Sequence, residues 1–275
     1  MLTDYHVHLR RDEAEFSAEE AFTAANAERY VEVAAERGVE TLGVSEHMYR
    51  FRQALEVWQH PFWRESAQDD LDAYCEFVRA ETSLSLGIEA DYIPGREDRM
   101  ATLLDARDWD YVIGSIHFLG DAAIDMRGDW DVWRSGNAHK VWTRYFEALG
   151  EAARSGMFDI LGHPDLVKVW GSGAPMPDRD PRFYYELAMD GIAESDVAIE
   201  VSTAGLRKPV REIYPAPAFL AMCLEAGRPV ALSSDAHTTN DLAYRYDDAL
   251  EYLGGLGVAE IAVFERRARR LEPLG

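Results

Sequence analysis

Two histidines separated by one residue, His6 and His8, lie near the start of the chain in the run DYHVHLR. Alternate residues of a strand project to the same side, so both imidazoles can grip one ion. The spacing alone is weakly specific, because two incidental polar residues at a strand end read equally well. It gains weight from S-E-H (45–47), I-E-A-D (88–91), S-I-H (115–117), G-H-P-D (162–165) and S-D-A-H (234–237). These runs add His47, Glu89, His117, His163, Asp235 and His237. Six imidazoles and two carboxylates exceed what one tetrahedral zinc takes. The count points to two or three ions with a carboxylate bridging a pair. A mixed nitrogen and oxygen shell suits Zn, Mn or Fe. The remaining histidines, His60 and His139, fit no such run and read as ordinary loop and helix residues.

Short β-rich runs must position these groups. The candidates are 2–8, 39–45, 84–90, 110–116, 158–163, 197–202 and 229–234, each apolar enough for a buried strand. Helical stretches lie between them. Ser17 and Glu20 form a capping box opening a run that ends near Arg37, with Gly38 as the stop. Segments 136–155, 183–194, 216–226 and 240–253 behave likewise. Repeated strand–helix alternation predicts a parallel sheet, open or closed. In a (β/α) barrel the strand ends converge on one face, where active sites sit. The histidines fall at those C-terminal ends, which scattered core residues would not do. Stretches 48–68, 171–182 and 203–217 read as long functional loops.

Length and composition narrow the function. The chain has 275 residues, 47% of them apolar, enough for one well-packed α/β domain over 1–275. Its formal charge is −22, which disfavours nucleic-acid polymers and a basic membrane anchor. A small anionic substrate stays compatible, because bound metal ions reverse the local sign. Cys75 and Cys223 form no CxxC pattern and read as buried reduced thiols. Without a signal-like N-terminus or a long apolar window, a cytoplasmic protein is expected, a monomer or small homo-oligomer.

At this point the chain resembles the polymerase-and-histidinol-phosphatase (PHP) superfamily, and within it the monofunctional histidinol-phosphate phosphatases. The resemblance rests on DYHVHLR, SEH, GIEADYIPG, GSIHFLG, ILGHPDLVK, STAGLRKPVREIYP and SSDAHTTND, in family order and over nearly the whole length. It implies a distorted (β/α)7 barrel with three divalent transition-metal ions. His6, His8, Glu89 and Asp235 would hold the first. Glu89 would bridge to a second, completed by His117 and His163. His47 and His237 would hold the third. Many relatives supply one more ligand after the H-x-H pair, often a histidine; this chain has none there. Asp12 is the best substitute, with Glu13 and Glu15 as alternatives.

The implied reaction is hydrolysis of a phosphomonoester, L-histidinol phosphate above others, by a hydroxide held between the first two ions across Glu89. Arg207 is the first choice for a phosphate clamp, Lys168 the second and Lys208 the third. Asp165 is placed to protonate the leaving alkoxide, or else caps the following turn. Glu46 reads either as an acceptor orienting His47 or as a solvated carboxylate. Glu200 reads as a buried polar residue near the metal face. Trp58, Trp63, Trp130, Trp133, Trp142 and Trp170 read as core, or as a wall for an imidazole-bearing substrate. Competing readings are an amidohydrolase barrel, a PHP esterase of nucleotides or other small phosphates, and a non-catalytic PHP module. An amidohydrolase site commonly uses a bridging lysine carboxylate, whose place Glu89 takes here.

Overall fold

The computed structural model describes residues 1–11 and 17–275. Seven parallel strands form one sheet in sequential order: β1 (Thr3–Asp4), β2 (Thr41–His47), β3 (Ser85–Asp91), β4 (Tyr111–Ser115), β5 (Ile160–Leu161), β6 (Ala198–Ser202) and β7 (Val230–Ser233). The sheet curls until its ends meet. Past β1 and β7 a parallel bridge joins Val7 to Ala236, with His8 N–H to Ala236 O at 2.8 Å and Ala236 N–H to His6 O at 3.0 Å. This nearly closed barrel is the expected (β/α)7 architecture.

Among the described residues seven longer helices clothe it: α1 (Ala24–Glu36), α2 (Leu71–Glu81), α3 (Glu97–Asp105), α4 (Ala138–Arg154), α5 (Arg182–Glu194), α6 (Pro217–Glu225) and α7 (Tyr246–Gly255). In α4, Val141, Trp142, Tyr145, Phe146 and Leu149 recur at helical spacing and are all buried. Expected boundaries move at two helices, and the 240–253 run is helical only from Tyr246. The Ser17–Glu20 capping box forms, but it opens only a turn, Ala18–Ala21. The chain breaks at Phe22, and Thr23 caps α1 afresh by accepting from Asn26 N–H. Gly38 ends the unit at φ +76°, where a side chain would be strained.

The stretch 48–68 is not the open loop expected. It folds into short helical turns, Met48–Arg50, Arg52–Glu56 and Pro61–Ser66, around the buried Trp63. Trp58, Trp63, Trp133 and Trp142 are likewise core residues. A C-terminal hairpin, β8 (Glu260–Glu265) and β9 (Ala268–Pro273), escaped the sequence reading. Its Ala262 and Phe264 pack with Tyr5, Tyr111, Ile113, Ile160, Ala198 and Ala231 against the N-terminal end of the barrel. Cys223 is buried and Cys75 partly so; both are free thiols that burial pushes up, Cys75 to about 12. No helix among the described residues is long and apolar enough to cross a membrane.

Candidate metal centre

Parallel register sets the site. His47 lies beside Glu89 at the ends of β2 and β3, and Asp91 lies beside Ser115 across β3 and β4. Glu89 is the hub, 1% exposed. Its Oε2 lies 3.3 Å from His6 Nε2 and 3.8 Å from His8 Nε2, and contacts His47 Nδ1. Its Oε1 lies 3.0 Å from His163 Nε2 and 3.3 Å from His117 Nε2, and accepts from Ser115 Oγ at 2.7 Å. Asp235 Oδ1 lies 3.4 Å from His8 Nε2 and 3.6 Å from His237 Nδ1. His47 and His237 face each other, with their Nε2 atoms 3.4 Å apart. All eight strand-end residues singled out by spacing are thus gathered in one cluster. Asp12, Glu13 and Glu15 lie outside the described residues.

A second layer fixes the rings. His6 donates Nδ1–H to Glu200 at 2.8 Å, and His117 donates Nδ1–H to Asp91 at 2.8 Å. With Nδ1 engaged by a carboxylate, each ring turns its Nε2, the nitrogen a metal ion would take, towards Glu89. Glu200 also accepts from the His163 backbone, whose φ of +24° is strained for a non-glycine residue. Glu46 takes neither role expected of it. It is buried and accepts from the N–H groups of Leu9 (2.7 Å) and Arg10 (3.0 Å), pinning the chain just after His8, and it pairs with Arg50 at 3.0 Å.

The donor set fits metal ions. His6 Nε2, both ring nitrogens of His8, His47 Nδ1 and Glu89 Oε2 are buried without a hydrogen-bond partner. Leaving such atoms unsatisfied costs about 1–3 kcal/mol each. Among the described residues three groups bring one ligand atom apiece within 4.8 Å of one another: His6, His8 and Asp235; His6, Glu89 and His163; His8, His47 and His237. These overlap the implied sets, but His8 joins His47 and His237. His117 reaches Glu89 without entering a group.

The charges are strongly coupled. Burial drives Glu89 up, but His47, His6, His117 and the His163 hydrogen bond outweigh it and hold the carboxyl well below its ordinary range. Asp235 is depressed in the same way, with burial opposed by His6, His8 and His237. Burial lowers His117, yet Glu89 and Asp91 raise it to about 10. The two members of the H-x-H pair diverge. Burial and the imidazoles of His47 and His237 push His8 well below 6.5, whereas Glu200, Glu89 and Asp235 overcome burial and raise His6.

A cavity of about 610 Å³ opens over this cluster. His47, His117, His163, Asp235 and His237 form its floor, and Tyr49, Phe62, Met126, Trp170 and Tyr214 contribute to its walls. Lys208 lines it, as do Arg10, Arg11 and Arg50. Arg207 and Lys168, the preferred phosphate clamps, are not among the described lining residues. The Arg207 guanidinium donates to the Ser234 and Asp235 carbonyls at 2.9 and 2.8 Å and sits 3.3 Å from Asp241. It braces the strand end from behind. Lys168 is spent on Asp165 (3.0 Å), Glu212 (3.1 Å) and the Ile213 carbonyl (3.1 Å). Asp165 is fully buried, accepts from Ala216 N–H at 2.8 Å, makes no capping bond and does not line the cavity. Trp170 alone of the six tryptophans named above reaches the described lining.

His60 and His139 lie away from the cluster. His60 accepts from Phe62 N–H at the start of the 61–66 helix, and His139 bonds Tyr184 Oη at 2.8 Å. Sequence reasoning missed the role of Asp91 on His117 and of Arg50 on Glu46. Asp91 was findable, because it lies two residues after Glu89 on one strand and so shares its face. Arg50 carries no such signal, since it acts from a 3₁₀ turn.

A parallel barrel with an imidazole and carboxylate cluster at its C-terminal rim defines a metal-centred barrel of the hydrolase type. Comparisons with known proteins narrow that class. The PHP domain profile matches residues 4–204. A probable histidinol-phosphatase of Deinococcus radiodurans is 32% identical over 250 residues, 89% of this chain and 91% of that protein. The histidinol-phosphatase of Bacillus subtilis is 27% identical over 207 residues, 67% of this chain and 77% of the other. The crystal structure of Lactococcus lactis histidinol phosphate phosphatase, complexed with Zn, L-histidinol and phosphate, superposes with a TM-score of 0.69. It covers 98% of both chains at 17% identity and shares the fold. The chain belongs to the PHP family.

Proposed function

We propose that this protein is a metal-dependent phosphomonoesterase that hydrolyses L-histidinol phosphate to L-histidinol and phosphate, a step of histidine biosynthesis. The observation that carries the reading is the set of buried, partnerless nitrogen and oxygen atoms around Glu89, beneath a cavity with cationic and aromatic walls. The names of the curated relatives support the substrate.

His6, His8, His47, Glu89, His117, His163, Asp235 and His237 would hold divalent ions, three in number, of Zn, Mn or Fe character, with Asp12, or else Glu13 or Glu15, completing the third site. Bound there, such ions neutralise the phosphoryl charge and acidify bound water. The chain's own residues do the rest. Glu89 draws five imidazoles together, and Glu200 and Asp91 keep two of them turned with Nε2 towards it. Lys208 faces the cavity beside Asp235 as the phosphate-side cation. Arg207 holds the Asp235 carbonyl, and with it the strand end, in place. Asp165 and Lys168 form a buried pair under the loop that follows His163 and act by positioning it.

The test is phosphate release from L-histidinol phosphate, nucleoside monophosphates, sugar phosphates and an aryl phosphate, under one metal condition with elemental analysis. The expected result is a clear preference for L-histidinol phosphate, lost on chelation, with close to three metal equivalents per chain. Equal kcat/KM for L-histidinol phosphate and the aryl phosphate would leave a PHP phosphatase of broad range. Full activity with a single equivalent would remove the three-ion centre.

A further inference from the structure

Among the described residues three carboxylates line the cavity: Glu65, Asp125 and Asp235. Asp235 belongs to the metal cluster, and Glu65 is exposed at the mouth. Asp125 is different. It is partly buried, and its Oδ1 is inaccessible to solvent and has no hydrogen-bond partner. Among the described residues no ion pair or hydrogen bond engages its side chain. A carboxylate held this way is short of a cation.

The backbone beside it is built rather than loose. A two-residue hairpin, Phe118–Leu119 with Ala122–Ala123, leads directly out of His117. At its end Ile124 N–H donates to the His117 carbonyl at 2.8 Å. The Ile124 carbonyl accepts two indole N–H groups, from Trp133 at 3.0 Å and Trp170 at 2.9 Å. Asp125 is therefore locked relative to a metal-face histidine and to an aromatic wall of the cavity. Its charge is felt by His117 and by Tyr214, whose hydroxyl is also buried without a partner. Lys208, which acts on Asp235, lines the cavity with Arg10, Arg11 and Arg50; these supply cations for the phosphate, and Asp125 offers a carboxylate to the other end of the ligand.

We infer that Asp125 is the specificity residue for the substrate's primary ammonium group, with Trp170 as the adjoining aromatic wall. The inference rests on the reading under Proposed function. At neutral pH an alkylamine is charged whereas a free imidazole is mostly neutral, so the ammonium is the group that a partnerless carboxylate selects. A substrate lacking that amine leaves Asp125 unpaired, which is how a site rejects an analogue by omission rather than by clash.

The experiment crosses two enzymes with two substrates. Wild type and Asp125→Asn are assayed on L-histidinol phosphate and on its deamino analogue, imidazolylpropyl phosphate, which keeps the phosphate and the ring. Losing a charge-assisted contact lowers kcat/KM by about 10- to 100-fold. That loss is expected in Asp125→Asn with the amine-bearing substrate only, chiefly through KM. The deamino analogue should stay within about threefold, at unchanged metal content. Asp125→Glu should recover part of the preference. Parallel losses on both substrates would overturn the assignment, because they would show Asp125 acting through His117. A wild-type preference for the amine that survives Asp125→Asn would overturn it too. Equal turnover of the two substrates by wild type would overturn this inference alone; the histidinol phosphate reading would fall only if the aryl phosphate were turned over equally as well.

Discussion

The two ends of one barrel are built on opposite terms. At the N-terminal end, Tyr111 fills the interior and donates its hydroxyl to the Tyr5 carbonyl at 2.6 Å, and Tyr5 Oη accepts from Phe264 N–H at 3.1 Å. Asp110 and Asp159 lock the rim, bonding Leu86 N–H, Arg79 and Arg266 in one case and Val112 N–H and Arg267 in the other. At the C-terminal end, buried ring nitrogens and a glutamate oxygen are left without partners. The same strands supply both, one end closed by paired tyrosine and aspartate groups, the other polar and incomplete. The satisfied end gives the rigidity that lets the incomplete end persist, since unpaired buried groups survive only where the surroundings over-determine them.

The largest effect should come from breaking the incomplete end at its hub. Glu89→Gln preserves shape but removes the charge that draws His6, His47, His117 and His163 together. Turnover of L-histidinol phosphate should fall by about 1000-fold, the scale of losing a principal electrostatic group. The far-UV circular dichroism should be unchanged. His60→Ala and His139→Ala should stay within about tenfold of wild type. If either matched Glu89→Gln, the division between the cluster and the remaining histidines would collapse.

This end was the more legible in sequence, and the reason is periodicity. A ligand at a strand end announces itself through alternation and through the strand that carries it, as His6, His8, Glu89 and Asp235 do. Groups that work through the backbone give no such sign. Glu46 was read against His47, its neighbour in sequence, but it serves the N–H groups of Leu9 and Arg10 on the chain that continues the adjacent strand β1. Arg207 was read as facing the substrate because cations are scarce and it follows β6; its long side chain instead turns back to the Asp235 carbonyl. The hairpin of β8 and β9 stayed hidden because ARRLEP lacks the apolar alternation of a buried strand, and its partner covers the barrel with few residues. Nor does a strand pattern disclose that glycines stand where a neighbouring ring needs the space.

Those glycines offer the next test, at the satisfied end. A Cβ on Gly87 would lie 2.3 Å from the Tyr111 ring, and one on Gly43 would lie 2.3 Å from its hydroxyl. Tyr111 is fully buried and bonded to Tyr5, so it has nowhere to go. Gly87→Ala should cost about 3 kcal/mol as overpacking, lowering Tm by roughly 5–10 °C for a chain of this size. Differential scanning calorimetry on metal-loaded protein measures it. Gly87 stands two residues before Glu89 on β3, so the clash lies one layer beneath the cluster, and kcat of the surviving folded fraction should stay within about tenfold of wild type. A variant that kept its Tm but lost activity would show that the two ends are not separable.

The smallest expected effect sharpens the contrast through pH. Burial pushes the Asp110 carboxyl up, but Arg79 and the N–H groups of Leu86 and Arg266 outweigh burial and hold it below 3.8. For a depressed carboxylate the stabilisation is fully present above its unfolded pKa and is lost as pH falls through the folded value. Asp110→Asn should therefore lower stability at pH 7 by about 1–2 kcal/mol, the scale of losing charge-assisted hydrogen bonds. The gap from wild type should hold between pH 7 and pH 5, then narrow below about pH 4, where wild type begins to protonate the same group. Thermal or urea unfolding of both proteins across that range provides the measurement. Comparing differences rather than absolute values cancels the acid sensitivity of the histidine cluster, which Asp110 does not touch. A gap that stayed constant down to pH 3 would mean that the carboxylate charge at the N-terminal rim contributes nothing, leaving shape alone to hold that end.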